Sequence, residues 1–449
     1  MSRPVATDDA RATHRAIEAV WRIECARIVA AVARLTRDVG LAEECAQDAL
    51  IAALEHWPAE GVPDVPAAWL MTTAKHRALD QLRRRAMQDR QHEALGADLD
   101  ALGAAVVPDF VDALDAARSD PIGDDLLRLI FIACHPVLSM DARVALTLRL
   151  LGGLTTDEIA RACLVPEPTV AQRIVRAKKT LGAARVPFEL PPGDALSQRL
   201  ATVLEVVYLI FNEGYSATRG DDWMRPALCD EALRLGRVLA ALAPDEPEVH
   251  GLVALMELQA SRTAARTDEQ GRAVLLPEQD RTRWDRLLIG RGLAALERAE
   301  ALCRVSGQAP GPCALQAAIA ACHASAPRAE ATDWPRIAAL YDALAQVAPS
   351  PVVELNRAVA VGMAFGPAAG LEIVDALGAE PRLKDYPYLP AARADLLARL
   401  GRVAEARAEF ERAAAMTGNA RERESLLARA AALGRAHARP VTKVTRSGT

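Results

Sequence analysis

The chain has 449 residues and a net charge of −5, and 51% of its residues are hydrophobic while only 4% are aromatic. This length supports about three domains with buried cores, and the scarcity of strand-favouring runs predicts an all-α fold. The sequence contains no apolar signal core and no uncharged apolar run long enough for a membrane helix, so we expect a cytoplasmic protein that does not enter a membrane.

The eight cysteines lie mostly within apolar helical stretches and form no CxxC pair. We expect them to be reduced core residues. Cys134-His135 and Cys322-His323 are the only arrangement that suggests a metal. Adjacent residues on a helix point about 100° apart, and no second pair is spaced to complete a tetrahedron. No metal site and no cofactor is therefore predicted.

The first predicted helix runs from His14 to Leu35, and a second follows Gly40. In the second helix Leu41, Cys45, Ala49 and Leu50 face a core, while an acidic and polar outer face lies opposite. That face consists of Glu43, Glu44, Gln47 and Asp48. It is either a solvated surface or a docking surface.

A loop rich in proline is predicted from Pro58 to Ala68, and Trp69 begins the next helix, AWLMTTAKHRALDQLRRR. Between Met71 and Arg90 six basic residues oppose two acidic ones, a net charge of +4. This surface favours nucleic acid. The stretch from Gly96 to Asp125 is acidic and lacks sustained periodicity, so it is predicted to be a tether.

A helix-turn-helix is predicted from Asp141 to Leu181. Gly152-Gly153 ends an apolar helix, and Thr155 with Glu158 forms a capping box that opens the next one. Pro166 lies in the turn before a second helix that starts near Glu167. Four apolar residues at helical spacing face inward on that second helix: Val170, Ile174, Ala177 and Leu181.

The opposite side of this helix carries the polar residues. Between Ala171 and Arg185 there are five basic residues and no acidic one. We predict DNA binding through this side; the alternative is a packed helical hairpin with a solvated basic face. The outward residues are Thr169, Ala171, Gln172, Arg173 and Arg176.

Residues 194–436 are predicted to form helical pairs after a proline-rich boundary at 187–193. Ala391 to Asn419 resembles half of a tetratricopeptide repeat, with a turn at Gly401 and packing positions at Ala406, Phe410 and Ala413. Pro351 to Leu377 is a weaker second pair. Stacked pairs offer a concave surface, so this half should bind a partner or fold back on the first half. Residues 437–449 are predicted to be a disordered tail.

The stretch NEGYSATRGDDW, from Asn212 to Trp223, contains more polar residues than a turn requires. Glu213 and Tyr215 are either a site or the capped end of a helix packed on a neighbour.

Three segments carry a family resemblance: AEECAQDAL, AWLMTTAKHRALDQLRRR and TVAQRIVRAKK. In this order and spacing, residues 10–186 resemble the two conserved regions of bacterial extracytoplasmic-function (ECF) sigma factors. The remaining chain is similar to the ECF subgroup with a long tetratricopeptide-like helical extension. The resemblance implies promoter DNA and core RNA polymerase as partners and no catalytic activity.

The resemblance implies that residues 10–95 are sigma region 2. The acidic helix, with Asp38, Glu43, Glu44, Gln47 and Asp48, would dock on the beta-prime clamp helices of the polymerase. The loop from Glu60 to Ala68 would take a flipped base of the minus-ten element. The residues that would hold the separated strand or its phosphates are Trp69, Thr72, Thr73, Lys75, Arg77, Arg83, Arg84 and Arg85. For Trp69, a core anchor is the equal alternative.

Residues 96–125 would be the linker, and residues 126–186 sigma region 4, which contacts the beta flap. The minus-thirty-five element would be read by Thr169, Ala171, Gln172, Arg173, Arg176, Lys178 and Lys179. Arginine favours guanine and glutamine favours adenine in the major groove. The third region, 194–436, would contact the sigma regions within the same molecule and regulate them.

Two other classes of protein compete with this interpretation. A one-component regulator with a helix-turn-helix and a helical sensor leaves the acidic helix and AWLMTTAKHRALDQLRRR unexplained. A hydrolase or transferase on a helical scaffold is disfavoured because no GxSxG, Walker A or HExxH motif is present.

Overall fold

The structure is a computed structural model that describes residues 5–96, 122–163, 165–190, 193–215, 224–269 and 272–437. These residues form helices and connecting turns, and the only strand-like pairing among them is an isolated antiparallel bridge between Thr267 and Ala273. The predicted all-α fold is confirmed. The chain divides into two compact units, Met1–Val207 and Tyr208–Thr449.

Unit 1 is built from helices. Their bounds are α1 Val5–Thr36, α2 Val39–Glu60, α3 Pro66–Gly96, α4 Ile122–Ala133, α5 Met140–Leu150, α6 Thr156–Cys163 and α7 Glu167–Ala183. Helix α8, Gly193–Tyr215, contains the division between the units.

Helices α1, α2 and α3 pack on one another around buried Ile28, Trp57 and Leu70. The predicted loop from Pro58 is shorter than expected, because α2 continues through Pro58 to Glu60. Gly61 caps the helix with a φ of +90°, which suits glycine. Helix α3 begins at Pro66, three residues before the predicted start, since a proline in the first turn loses no backbone hydrogen bond.

Helix α4 packs on α1 and includes the end of the predicted tether. Asp125 was predicted to be the last residue of the tether, but it is helical and buried, so the tether ends earlier than predicted. Its carboxylate lies 3.1 Å from Arg34 Nε and 2.7 Å from Arg128 Nη1. Two guanidinium groups compensate the loss of water around the carboxylate. Most of the tether, residues 97–121, lies outside the described residues.

The helix-turn-helix is confirmed in its local details. Gly153 has a φ of +66° after α5. The backbone N–H of Thr155 donates to Glu158 (2.8 Å), and the Glu158 N–H donates to Thr155 Oγ1 (3.1 Å), as the capping box predicts. The inward residues of α7 are all buried: Val170, Ile174, Ala177 and Leu181.

Unit 2 is an array in which each helix from α9 onward packs on the next. The helices are α9 Pro226–Leu242, α10 Pro247–Ala260, α11 Arg286–Ser306, α12 Pro312–Ser325, α13 Trp334–Val347, α14 Pro351–Ala364, α15 Pro367–Leu377, α16 Tyr388–Arg399, α17 Val403–Met416 and α18 Ala420–His437. We call α9–α18 the C-terminal array.

The two helical pairs predicted in this array are present as α14–α15 and α16–α17. Ala406, Phe410 and Ala413 are buried, and Gly401 turns the chain with a φ of +76°. Small residues at two of these positions let neighbouring helices approach Phe410 closely.

Of the polar stretch at 212–223, residues 216–223 lie outside the described residues. Glu213 Oε1 accepts from Arg225 Nη1 at 2.5 Å, and the Tyr215 ring stacks on Phe211 with 5.6 Å between centroids. This geometry corresponds to the packed helix end that sequence reasoning considered.

None of the described helices is both long and apolar enough to span a membrane. The eight cysteines form no disulfide bond in the described part of the chain, and five of them are buried. In the described ranges no three His, Cys, Asp or Glu side chains are grouped as metal ligands.

Candidate nucleic-acid interface

Helix α7 presents one exposed stripe opposite its buried side. Gln172, Arg176 and Lys179 are exposed and follow one another at i, i+4 and i+7. Ala171 and Val175 are also exposed beside this stripe, and Thr169 at the start of the helix is half-buried. Because the four buried residues of α7 attach it to α5 and α6, the stripe has a rigid base. An amide, a guanidinium and an ammonium group on a rigid helix form a surface suited to a DNA groove.

Two basic residues predicted for the same surface form ion pairs within unit 1. Arg173 Nη2 is 2.7 Å from Asp141 Oδ2, so its charge is balanced within the helix-turn-helix. Lys178 Nζ forms an ion pair with Glu43 of α2 and is largely buried. The exposed stripe of α7 is therefore narrower than the basic composition of the helix indicates.

Glu43 occupies a different place from the one predicted. Sequence periodicity placed it on the solvated face of α2, whereas the structure buries it with 5% exposure. Arg149 Nε donates to Glu43 Oε1 at 2.6 Å, and Lys178 pairs with the other oxygen. The Gln47 side-chain amide also donates to Glu43 Oε1. Two cations and an amide compensate the desolvation of this carboxylate, which local periodicity along α2 does not reveal.

The other predicted docking residues differ in exposure and in their contacts. Asp38 caps the helix by accepting from the Gly40 N–H (2.9 Å) and the Leu41 N–H (3.1 Å), and its second oxygen lies 3.5 Å from Arg85 Nη1. Glu44 and Asp48 are exposed, and Gln47 is half-buried. Of the predicted docking residues, Glu44 and Asp48 are thus the acids that face solvent.

Sequence reasoning missed the apolar part of this surface. Ile51 is 51% exposed and follows Glu44 and Asp48 along the same side of α2, and exposed Glu55 continues the line. These four residues are spaced at i, i+4, i+7 and i+11, which is the repeat of one helix face. An exposed isoleucine within an acidic line was the available signal.

Helix α3 carries the other predicted nucleic-acid residues. Trp69 is half-buried and meets the buried Trp57 edge to face, with 5.4 Å between ring centroids. This contact fixes the indole while part of it stays accessible. The exposed residues of the predicted set are Thr72, Arg77, Arg83, Arg84 and Arg85.

Thr73 and Lys75 are half-buried on α3. Burial, and secondarily the nearby Arg34 guanidinium, lowers the pKa of Lys75 from its usual value of 10.5. The Lys75 ammonium group is therefore less available to solvent and to a DNA strand than the arginines further along the helix.

Comparison with known protein families gives three matches along the chain. Residues 24–87 match Sigma-70 region 2, and residues 128–181 match Sigma-70, region 4. Residues 199–300 match a family of unknown function, DUF6596. The first two matches cover the helices that carry the exposed surfaces of α2, α3 and α7.

Comparison with curated proteins gives full-length and partial relatives. An uncharacterized protein of Rhizobium meliloti is 46% identical over 87% of this chain and 90% of its own length. The ECF RNA polymerase sigma factor SigK of Mycobacterium ulcerans is 30% identical over 35% of this chain and 79% of its own length. The probable RNA polymerase sigma-C factor of Mycobacterium bovis is 27% identical over 41% of this chain and 92% of its length. No solved structure matches the chain significantly.

Proposed function

The chain belongs to the family of ECF RNA polymerase sigma factors, and from this premise we propose a role for each exposed surface of unit 1 and for the C-terminal array. As a sigma factor it acts in transcription initiation with core RNA polymerase and promoter DNA. The observation that carries the proposal is the exposed stripe of α7 on a buried base, in a unit that also exposes an acidic helix and an arginine-rich helix.

The stripe of α7 reads the minus-thirty-five element in the major groove. Gln172 and Arg176 contact base edges, because both are exposed and carry side chains with two hydrogen-bonding groups. Lys179 contacts a phosphate, which positions the helix without specifying a sequence. Arg173 and Lys178 have secondary roles, since each is engaged in an ion pair within unit 1.

Helix α3 and the loop before it bind the minus-ten element as a single strand. The accessible part of Trp69 stacks on an unpaired base, and Thr72 with Arg77 follows the strand. Arg83, Arg84 and Arg85 contact phosphates. Stacking and a positive groove together compensate the few kcal/mol lost when a base is unstacked.

Helix α2 docks on the beta-prime clamp helices through the line of Glu44, Asp48, Ile51 and Glu55. The line combines carboxylates, which steer association, with an apolar contact that strengthens it.

The C-terminal array regulates the sigma activity of unit 1. Its successive packing gives a long helical surface of the kind that binds other proteins. The family of unknown function that matches residues 199–300 begins within α8 and continues through the first helices of the array.

Reconstituted transcription with core polymerase tests the promoter surface. Gln172→Ala and Arg176→Ala are each expected to weaken promoter binding by about 1–3 kcal/mol, because a bidentate base contact contributes that much. Transcription from the promoter should fall accordingly. Binding to core polymerase is expected to stay unchanged. If both variants keep full promoter selectivity, α7 does not read the promoter.

Co-purification with core polymerase tests the docking surface. Reversing both charges, Glu44→Lys with Asp48→Lys, is expected to abolish the complex while the chain stays folded, since both side chains are exposed. Reversal at Glu18 and Glu297, two exposed acids on other helices, is the matched control. Wild-type affinity of the Glu44 and Asp48 variant would remove the assignment.

A further inference from the structure

A cavity of about 640 Å³ lies in unit 1 where the ends of α1 and α7 meet the start of α2. Five basic residues line it: Arg34, Arg37, Arg128, Lys178 and Arg185. Three of them form ion pairs with buried carboxylates, because Arg34 and Arg128 share Asp125 while Lys178 pairs with Glu43. Arg37 and Arg185 are both exposed and have no carboxylate partner in the part of the chain that the structure describes.

The backbone at these two arginines is unusual. Seven described residues have a positive φ, of which five are glycines. Gly153, Gly307 and Gly401 follow helix ends at φ between +66° and +76°, as a left-handed helix terminus prefers. The two residues that are not glycine are Arg37 (φ +52°) and Arg185 (φ +46°), and both line this cavity.

The helix dipole alone does not account for these two positions. A cation near a helix C-terminus is favourable, but the last helical turn already provides that position, as Arg34 does in α1. An arginine in the left-handed position costs conformational energy that glycine would avoid. Strained residues that persist around one cavity indicate a binding site.

Part of the cavity wall is apolar. Val186, Phe188 and Leu190 line it and are half-buried, and Leu181 of α7 is buried beside them. An aromatic ring and two guanidinium groups that line one cavity suit a ligand with a planar base and several phosphates. The volume lies within the usual range for small-molecule sites. The single exposed acid on the rim without an ion-pair partner in the described residues is Glu189.

We propose that this cavity binds a free nucleotide carrying two or more phosphates, with the phosphates on Arg37 and Arg185 and the base against Phe188. This site is separate from the stripe of α7 and from the docking line of α2. Its existence does not depend on the proposed roles of those surfaces.

Calorimetric titration of the full chain with GTP, ATP and inorganic tripolyphosphate tests the proposal. A nucleoside triphosphate is expected to bind with a stoichiometry of one and more tightly than tripolyphosphate, because only the nucleotide contacts Phe188. Arg37→Gln and Arg185→Gln are each expected to weaken binding about tenfold or more, as loss of a charged hydrogen-bond donor does. Glu189→Gln is expected to tighten it.

Three comparisons separate binding from folding and from general charge. Arg15→Gln, at an exposed arginine far along α1, is the matched control and is expected to bind like the wild type. Arg37→Gly with Arg185→Gly is expected to lose binding without a lower melting temperature, because glycine relieves the positive φ. Phe188→Leu is expected to weaken nucleotide binding and leave tripolyphosphate binding unchanged.

The proposal is wrong if neither nucleotide binds saturably, or if binding is indifferent to Arg37→Gln and Arg185→Gln. It is also wrong if a short single-stranded oligonucleotide binds with the same dependence on both arginines while free nucleotides do not. That last result would make the cavity part of a nucleic-acid path.

Discussion

Glu43 shows how one buried carboxylate connects three helices of unit 1. It is almost fully buried on α2, and its partners are Arg149 on α5 and Lys178 on α7, whose side chains are 20% and 22% exposed. Arg149 also donates to the Leu154 carbonyl at 3.0 Å, so its position is fixed from two sides. The group is an electrostatic link between the docking helix and the helix-turn-helix.

We expect Glu43→Gln to destabilise unit 1 by about 3 kcal/mol, the lower end for breaking a buried pair, because Arg149 and Lys178 retain some solvent. Glu44→Gln removes the same charge from the neighbouring exposed position and is expected to change stability by about 0.5 kcal/mol or less. Urea unfolding of both variants provides the comparison. Equal midpoints would mean that the link does not stabilise the unit.

His323 gives the C-terminal array a dependence on pH. Burial, together with Arg262 and Arg281, lowers the pKa of this imidazole from 6.5 to about 4. The ring meets Trp334 edge to face at 5.2 Å. The folded chain therefore holds His323 neutral, whereas the unfolded chain protonates it near its usual pKa.

The sign of the effect follows from proton binding. The unfolded state binds the extra proton between pH 6.5 and about 4, so His323 destabilises the folded array as the pH falls through this window. At pH 4.5 the expected loss is about 2–3 kcal/mol relative to pH 7, from 1.36 kcal/mol per pKa unit. The stability of His323→Phe should fall less over the same range. A wild type and variant with parallel pH profiles in urea unfolding would contradict this.

At the scale of elements, substitution by alanine is expected to change stability in opposite directions at two glycines of the C-terminal array. A Cβ on Gly370 of α15 would lie 2.6 Å from the Ala358 carbonyl oxygen and 2.8 Å from the Gly362 Cα, both in α14. These are backbone atoms, so α14 and α15 would have to separate. A Cβ on Gly290 of α11 meets nothing within 4 Å.

Gly370→Ala is therefore expected to destabilise the array by about 1–3 kcal/mol, as overpacking does. Gly290→Ala is expected to stabilise it by up to about 1 kcal/mol, because alanine is the better residue in a helix interior. Thermal unfolding should move the two melting temperatures in opposite directions. A rise for Gly370→Ala would mean that the close approach of α14 and α15 is not a constraint.

The elements that sequence predicted correctly are those with local signals. The capping box, Gly153 and the apolar spacing of α7 lie within a few residues of one another, and the structure contains each of them. The burial of Glu43 had no local signal, because Arg149 lies 106 residues further along the chain. The cavity of Arg37 and Arg185 was missed for the same reason, since it joins the ends of two distant helices.

Local sequence signals also failed to predict the boundary between unit 1 and unit 2. The proline-rich stretch at 187–193 predicted a division before α8, yet the first part of α8 belongs to unit 1. Arg199 of α8 donates from Nη2 to the Phe131 carbonyl of α4 at 2.6 Å, and its guanidinium lies 5.7 Å from the Phe131 ring centroid. A composition shift locates a turn, whereas a unit boundary depends on which helix a side chain contacts.

At the scale of the whole molecule, truncation tests the regulatory role of the C-terminal array, and the choice of end point decides what the test means. A fragment of residues 1–193 loses Arg199 and its contacts with α4, so it confounds regulation with stability. A fragment of residues 1–215 keeps the whole of α8 and removes the C-terminal array. We expect the longer fragment to melt at the higher temperature, because α4 keeps its hydrogen bond to Arg199.

With core polymerase and promoter DNA, the fragment of residues 1–215 is expected to bind the polymerase but to lose promoter-specific transcription relative to the full chain. The docking line of α2 and the stripe of α7 lie in unit 1, so binding should survive, whereas any contact supplied by the array is removed. Adding the isolated residues 216–449 back tests whether the two parts must be covalently joined. A gain of transcription in the fragment would show that the C-terminal array inhibits unit 1. Unchanged rate and selectivity would show that the array serves a different partner.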